Sequence, residues 1–167
     1  MNTAGSSPIC ALGFDLGERW VGVAIGNSLS GQARPLKVLR RDQDSFWPSL
    51  QALITEWRPQ RLVVGDPLTL DGQLQPITHS ARRFARQLEG RSGLPVCMCD
   101  ERSSSREAAR VFAEQRRQGH ARRRDAELAD ALAASIILQR WLDAGMPMTP
   151  LPSAADHEHD DSPSTVS

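Results

Sequence analysis

Three short apolar runs, separated by turn residues, open the sequence and predict three β-strands. These runs cover residues 9–14, 20–25 and 33–39. Apolar and β-branched residues in segments of this length favour strands, and the short connections between them leave no room for a helix. Pro35 in the third run indicates an edge position, because proline cannot donate a backbone hydrogen bond to a neighbouring strand. We therefore expect an antiparallel three-strand meander.

After residue 39 the pattern alternates between helical and strand spacing. Apolar stripes at three- and four-residue intervals predict helices over about 45–57, 75–89, 103–117 and 126–144. Ser45 is the expected N-cap of the first helix, and Gly90 is the expected end of the second. Two apolar runs between the helices, 61–64 and 96–99, predict buried strands. The order βββαβαβαα predicts an α/β fold: a mixed five-stranded sheet, made of the antiparallel meander and two parallel strands, with helices on both faces.

Polar segments flank this pattern at both ends. We expect a disordered tail over residues 1–8, one domain over 9–146 and a disordered acidic tail over 147–167, which is rich in Pro, Ser and Asp. The sequence has no apolar run of about 18 residues, and its start lacks the basic-then-apolar layout of a signal peptide. We therefore expect a cytoplasmic protein with no membrane partner.

Three cysteines, Cys10, Cys97 and Cys99, form an odd number without a C-x-x-C spacing. This pattern favours a reducing compartment over a disulfide framework. We expect the cysteines to act as small hydrophobic residues, with Cys97 and Cys99 on opposite faces of their strand.

The formal net charge of zero conceals an uneven distribution of charge. The chain has 20 basic and 20 acidic residues, but four of the acids and none of the bases follow residue 150. Residues 82–124 carry twelve arginines against five acids. The balanced total therefore does not exclude a polyanionic partner such as a nucleic acid.

Three carboxylates occupy positions that suit phosphoryl transfer. Asp15 ends the first strand and Glu101 follows the last one, so both are expected at the sheet edge where α/β proteins bind ligands. Asp130 shares a stripe of the last helix with apolar residues, and a charge there needs a partner or a metal ion. Mg²⁺ prefers oxygen ligands, and two divalent ions activate water and neutralise phosphoryl oxygens.

Each carboxylate also has a purely structural explanation. Asp15 lies between turn-forming glycines, and Glu101 precedes a predicted helix whose N-terminus favours acidic residues. Asp130 can pair with Arg102 or Arg124. The combination of the three on separate elements favours a metal site more than any one of them does.

The motifs and their order resemble the YqgF/RuvX family. Residues 13–24, GFDLGERWVGVA, are similar to the family's opening motif GxDxGxxRxGVA. The similarity continues through 33–36, 64–68, 71–72, 100–102 and 130–138, and it covers about residues 9–144. Members are RNase H-like proteins, described as Holliday-junction resolvases and as pre-ribosomal-RNA nucleases. The resemblance implies an RNase H-like fold and a divalent-metal nuclease.

Carried over motif by motif, the resemblance implies that Asp15, Glu101 and Asp130 are catalytic and bind Mg²⁺ or Mn²⁺. Nucleic-acid phosphates are then expected to contact six arginines, namely Arg19, Arg102, Arg106, Arg122, Arg123 and Arg124. The alternative for the basic stretch is a solvated helix face followed by a basic loop over 119–124. Asp66 departs from the family pattern, which usually has an uncharged residue at that position.

The expected function is endonucleolytic processing of the 5′ end of precursor 16S rRNA during ribosome biogenesis, with a ribosome or pre-ribosomal particle as a partner. Cleavage of branched DNA at Holliday junctions is the main alternative, and a non-catalytic, transcription-associated nucleic-acid-binding factor is another. Residues 15–17 also resemble the phosphate-binding opening of actin-like ATPases and sugar kinases, but the chain lacks residues for their second lobe. Both a monomer and a homodimer remain compatible with the sequence.

Overall fold

Five strands and three helices follow one another along the part of the chain that the computed structural model describes. That part comprises residues 7–68, 71–100 and 123–152, with side chains described from residue 129 in the last range. The strands are β1 (Cys10–Leu16), β2 (Trp20–Asn27), β3 (Gln32–Arg40), β4 (Arg61–Asp66) and β5 (Val96–Asp100). The helices are α1 (Phe46–Trp57), α2 (Pro76–Ser92) and α3 (Arg123–Asp143).

The strands form one sheet in the order β3-β2-β1-β4-β5. β2 is antiparallel to both β1 and β3, whereas β4 is parallel to β1 and to β5. The predicted α/β fold, with its meander and two parallel strands, is therefore confirmed, and the sheet fits an RNase H-like fold. β3 lies at an edge, as Pro35 indicated, and its register with β2 shifts next to that proline.

Side-chain alternation along the strands divides the core into two layers. Leu12, Phe14 and Leu16 of β1 belong to a cluster with α1 and α2, in which Phe14 and Phe84 meet with ring centroids 5.9 Å apart. Ala11 belongs to the cluster on the other face, which packs against α3. Successive strand residues point to opposite faces, so helices cover both sides of the sheet, as predicted.

The face of the sheet under α3 is made of very small residues, and this determines how closely the helix approaches. A Cβ atom on Gly22 would lie 2.0 Å from the carbonyl oxygen of Asp130. A Cβ on Gly13 would lie 2.8 Å from the Cβ of Leu138. Real side chains do not fit at such distances, so α3 rests directly on the backbone of β1 and β2.

Two helix ends differ from the sequence-based expectation. α2 continues through Gly90, which is tolerated inside the helix, and ends at Gly93, whose φ of 69° is the left-handed conformation that closes helices. Ser45 precedes α1 at the expected place, but its side chain does not cap the helix. Its hydroxyl group instead lies 3.5 Å from the Oε1 atom of Gln43.

α3 begins at Arg123, earlier than the predicted start at residue 126. Arg123 and Arg124 therefore belong to the helix and not to a basic loop, because the helical backbone extends back through them. The predicted helix over 103–117 lies outside the described residues. Among the helices that the structure does describe, none is long and apolar enough to cross a membrane.

The prediction that Cys97 and Cys99 face opposite sides of the sheet is wrong. Both contact the apolar cluster under α3, because residues two apart on a strand share a face. Burial raises the pKa of the Cys97 thiol to about 11. Cys97 therefore behaves as the small hydrophobic residue that the sequence indicated.

Residues that follow α3 return across the molecule to its other face. The indole Nε1 of Trp141 donates a hydrogen bond to the carbonyl oxygen of Pro147 at 2.8 Å. Leu151 then packs against the cluster that contains α1 and α2. Pro147 and Leu151 thus contact the body of the domain, whereas the sequence placed both in the acidic tail. The extent of that tail beyond residue 152 stays a prediction.

Gly22→Ala is expected to lower the free energy of unfolding by about 3 kcal/mol, since the new methyl group must displace the α3 backbone. Gly90→Ala is the matched control. No atom lies within 4 Å of a Cβ at that helical position, so we expect a gain of about 0.5–1 kcal/mol. Urea denaturation of the three proteins measures both effects. Equal stability of Gly22→Ala and the unmodified protein would contradict the close approach of α3.

Cys97 makes folding sensitive to alkaline pH. Its folded pKa of about 11 exceeds the ordinary value of 9.0, so between these pH values the unfolded chain binds fewer protons than the folded one. The free energy of unfolding should therefore fall as pH rises from 9 to 11. Urea denaturation of Cys97→Ala across this range is the control, because its stability should decline less. Parallel pH profiles would contradict the assignment. The chain has one lysine and no tyrosine, so few other groups titrate there.

Candidate active site

Asp15 and Asp130 are brought to the same place by one glycine. Asp15 of β1 lies directly opposite Gly22 of β2 in the antiparallel register. Side chains of such paired residues stand about 5 Å apart on one face. The volume that a Gly22 side chain would fill is taken by the peptide group of Asp130. Two of the three predicted metal ligands therefore share one face of the sheet near the carboxyl end of β1.

The helical stripe that carries Asp130 is as the sequence predicted. Ala134, Ile137 and Trp141 are buried, with 0%, 0% and 1% of their surfaces exposed. Asp130 is half-buried at the start of this stripe, and Asp15 is half-buried on its strand. Both carboxylates take part in interactions with neighbouring groups. The rigid packing below Asp130 holds its helix in place over the sheet.

The loop that follows Asp15 is held by an arginine that the sequence analysis missed. Arg41, just after β3, donates from Nη1 to the carbonyl oxygen of Gly17 at 2.8 Å. The Arg41 backbone N–H also donates to the carbonyl oxygen of Arg19 at 2.7 Å. Arg19, a predicted phosphate contact, is exposed on this loop. No sequence signal connects Arg41 with residues 17–19, because sheet pairing alone brings them together.

Asp66, the acid that departs from the family pattern, is bound to Arg82 of α2. The Arg82 Nε atom lies 3.1 Å from Oδ1, and Nη2 lies 3.0 Å from Oδ2. The two side chains are only 12% and 13% exposed. Asp66 lies two residues after Val64 on β4, so both side chains point to the same face of the sheet. Val64 packs in the cluster that contains α1 and α2. Asp66 therefore points away from the face of Asp15, and its charge is offset by a bidentate partner.

A second polar contact fixes the same loop. The buried Thr78 hydroxyl donates to the carbonyl oxygen of Pro67, and it accepts a hydrogen bond from the backbone N–H of Gln75 at 3.0 Å. The start of α2 is thereby tied to the segment that leaves β4. This segment adjoins β1 at the edge where Asp15 lies, since β4 pairs with β1.

Several predicted site residues cannot be placed. Glu101, Arg102, Arg106 and Arg122 lie outside the described residues. Arg123 and Arg124 are described only as helical backbone.

The carboxylates that can be placed supply the type of donor that Mg²⁺ and Mn²⁺ prefer. Asp15 and Asp130 provide oxygen ligands on one face, so the donor chemistry fits such an ion. Within the described ranges, no three His, Cys, Asp or Glu side chains form a metal-binding cluster, and the third predicted ligand, Glu101, is not among them.

Comparison with known protein families identifies the chain. The model of the RuvX family, described as Holliday junction resolvase, matches residues 9–144. The chain belongs to the RuvX family. This confirms the resemblance seen in the motifs, and with it the prediction of a hydrolase that acts on phosphodiester bonds.

Curated relatives support the same assignment. Proteins from Xanthomonas oryzae pv. oryzae (strain PXO99A) and Xanthomonas axonopodis pv. citri (strain 306) are 51% identical over 142 residues, which is 84% of this chain and 92% of theirs. A protein from Xanthomonas campestris pv. campestris (strain B100) is 50% identical over the same lengths. Each of these RuvX relatives is named "Putative pre-16S rRNA nuclease".

Among solved structures, RuvC of Thermus thermophilus in complex with a Holliday junction substrate resembles the chain at 17% identity and a TM-score of 0.49. The alignment covers 83% of this chain and 97% of RuvC. A second Thermus thermophilus RuvC structure gives 15% identity and a TM-score of 0.48. At these values the similarity has no bearing on the site.

The ion pair between Asp66 and Arg82 should contribute measurable stability. We expect Asp66→Asn and Arg82→Gln each to cost about 2 kcal/mol, because each leaves a nearly buried charge without its partner. The double variant should cost at least about 1 kcal/mol less than the sum. The exposed pair of Arg40 and Asp42, 40% and 50% exposed, is the matched control and should couple by less than about 0.5 kcal/mol. Urea denaturation of the single and double variants measures the coupling energy of each ion pair. Equal coupling energies in the two pairs would contradict the larger contribution expected of Asp66 and Arg82.

Proposed function

We propose that this protein is a divalent-metal-dependent endonuclease that processes the 5′ end of precursor 16S rRNA. The observation that carries the proposal is the position of Gly22, which pairs with Asp15 and makes room for the peptide group of Asp130. Glu101 follows β5, which ends at the same sheet edge as β1 and β4 because the three strands are parallel. Three carboxylates from three elements are then available to one site.

Asp15, Glu101 and Asp130 would hold Mg²⁺ or Mn²⁺. When bound, such ions supply an activated water and neutralise charge on the phosphoryl oxygens. The chain contributes the fixed positions of the carboxylates. Asp15 is held by strand pairing on one side, and Asp130 is held by a helix that rests on backbone. Rigid carboxylates need no reorganisation during the reaction, which is what makes a preorganised site effective.

Arginines around the site would bind the phosphates of the substrate. Arg19 is exposed on the loop after Asp15, and the contacts made by Arg41 hold that loop. Arg102, Arg106 and Arg122–Arg124 follow Glu101 in the sequence and would add further positive charge. Neutralisation of several phosphates makes binding strongly dependent on salt.

The relatives favour RNA as the substrate. Their shared name refers to pre-16S rRNA, and they match 84% of the chain. On this reading the domain over 9–146 acts in the cytoplasm on a ribosome or pre-ribosomal particle, as a monomer or as a homodimer. Branched DNA is the second candidate, because the family itself is described as Holliday junction resolvase. The shared face of Asp15 and Asp130 supports catalysis over a role limited to binding.

Asp15→Asn and Asp130→Asn should each reduce kcat for metal-dependent cleavage by at least about 100-fold. Each substitution replaces one negatively charged metal ligand with a neutral side chain of the same shape. The assay compares a precursor 16S rRNA fragment with a four-way DNA junction, with and without Mg²⁺. Asp42→Asn is the control, since Asp42 pairs only with the exposed Arg40 among the contacts described. Thermal unfolding must show that all three variants fold.

Full cleavage by folded Asp15→Asn would refute the proposed catalytic role of this carboxylate. Preferential cleavage of the DNA junction would replace the RNA substrate with the second candidate.

A further inference from the structure

The last described residues of the chain, which follow α3, lie against α2. After the contact of Trp141 with Pro147, Leu151 packs into the cluster that contains α1 and α2. The Nη1 atom of Arg86 then donates to the carbonyl oxygen of Pro152 at 3.4 Å. Pro152 therefore lies against the middle of α2, and the next residues of the chain start from there.

α2 presents a group of arginines at this point. Arg82, Arg83 and Arg86, here called the arginine stripe, are spaced so that they share one side of the helix. This side flanks the buried face of α2. Arg83 is exposed, Arg86 is half-buried, and Arg82 is nearly buried in its pair with Asp66. Asp66 offsets the charge of Arg82, Arg83 presents its positive charge to solvent, and Glu89 is the one acidic residue of α2.

The residues that follow Pro152 have the opposite charge. Residues 153–167 contain four acids and no lysine or arginine; the acids are Asp156, Glu158, Asp160 and Asp161. An extended chain advances about 3.3 Å per residue, so Asp156 can reach up to about 13 Å from Pro152. The stripe spans about one helical turn of 5.4 Å. All four carboxylates can therefore reach the arginines.

We infer that the acidic segment 153–167 docks on the arginine stripe of α2. Its start is fixed there by Leu151 and Pro152, so the segment is present at high effective concentration beside the stripe. The match to the RuvX family model covers residues 9–144, so the acidic segment lies outside the matched range. With carboxylates bound, the stripe is closed to nucleic-acid phosphates, and this consequence alone rests on the proposed function.

A cross-linking experiment on the full chain tests the contact. Arg83→Lys keeps the positive charge and introduces an amine, which carbodiimide joins to neighbouring carboxylates. The protein has one native lysine, Lys37, which is exposed on β3 at the far edge of the sheet and serves as the internal control. Mass spectrometry should find position 83 joined to 153–167 at least about 10-fold more often than Lys37. In 1 M salt the preference should disappear, because charges are then screened within about 3 Å.

A second measurement leaves the arginines unchanged. The tail is neutralised by Asp156→Asn, Glu158→Gln, Asp160→Asn and Asp161→Asn, and phenylglyoxal modification of arginines is followed. The modification rate of Arg83 should rise at least about 3-fold, whereas that of Arg34, exposed on β3, should not change.

Equal cross-linking of position 83 and Lys37, or an unchanged rate at Arg83, would overturn the inference. The second result would leave the stripe to an external polyanion such as nucleic acid. Neither measurement reads nuclease activity, so a failure of the proposed function does not alter their meaning.

Discussion

The contact between Gly22 and the peptide group of Asp130 is the constraint on which the site depends. A helix normally packs on a sheet through side chains, which keep the two backbones well apart. Here the sheet has glycine at the contact, and a Cβ on Gly22 would lie 2.0 Å from the Asp130 carbonyl oxygen. Because Gly22 also pairs with Asp15, one missing side chain determines how closely the backbone of Asp130 approaches the strand pair that carries Asp15. The larger residues of the α3 layer, Ile137 and Trp141, are accommodated further along the helix.

Strand alternation gives neighbouring acids different roles. Asp15 and Asp66 lie near the carboxyl ends of two adjacent parallel strands, yet they belong to opposite faces of the sheet. Asp66 faces α2, where Arg82 binds it through two nitrogen atoms and offsets its charge. Asp15 faces α3 and Asp130. The face of the sheet to which an acid at a strand end points thus decides its role. On one face it forms an ion pair, and on the other it belongs to a candidate metal site.

The strands, the sheet and the stripe of α3 could be predicted because each depends on periodicity over a few residues. Asp15 and Asp130 could be selected in the same way. Their proximity could not be derived from the pattern, since Gly22 and Asp130 are more than 100 residues apart and only packing shows what the glycine accommodates. The end of α2 was misjudged for a related reason. Gly90 and Gly93 look alike in the sequence, and only backbone conformation distinguishes the helical glycine from the one with φ of 69°.

The charged residues that sum to a net charge of zero fall into groups with different locations. One part lies in nearly buried pairs such as Asp66 with Arg82, where charge serves the fold. Another lies in Asp15 and Asp130, two half-buried carboxylates that belong to the face of the sheet under α3. Carboxylate oxygens are the ligands that Mg²⁺ and Mn²⁺ prefer, so charge at this place suits a function that charge in the Asp66 pair does not. The absence of a side chain at Gly22 brings the backbone of Asp130 close to the strand pair that carries Asp15, and the same packing therefore serves the fold and the candidate site.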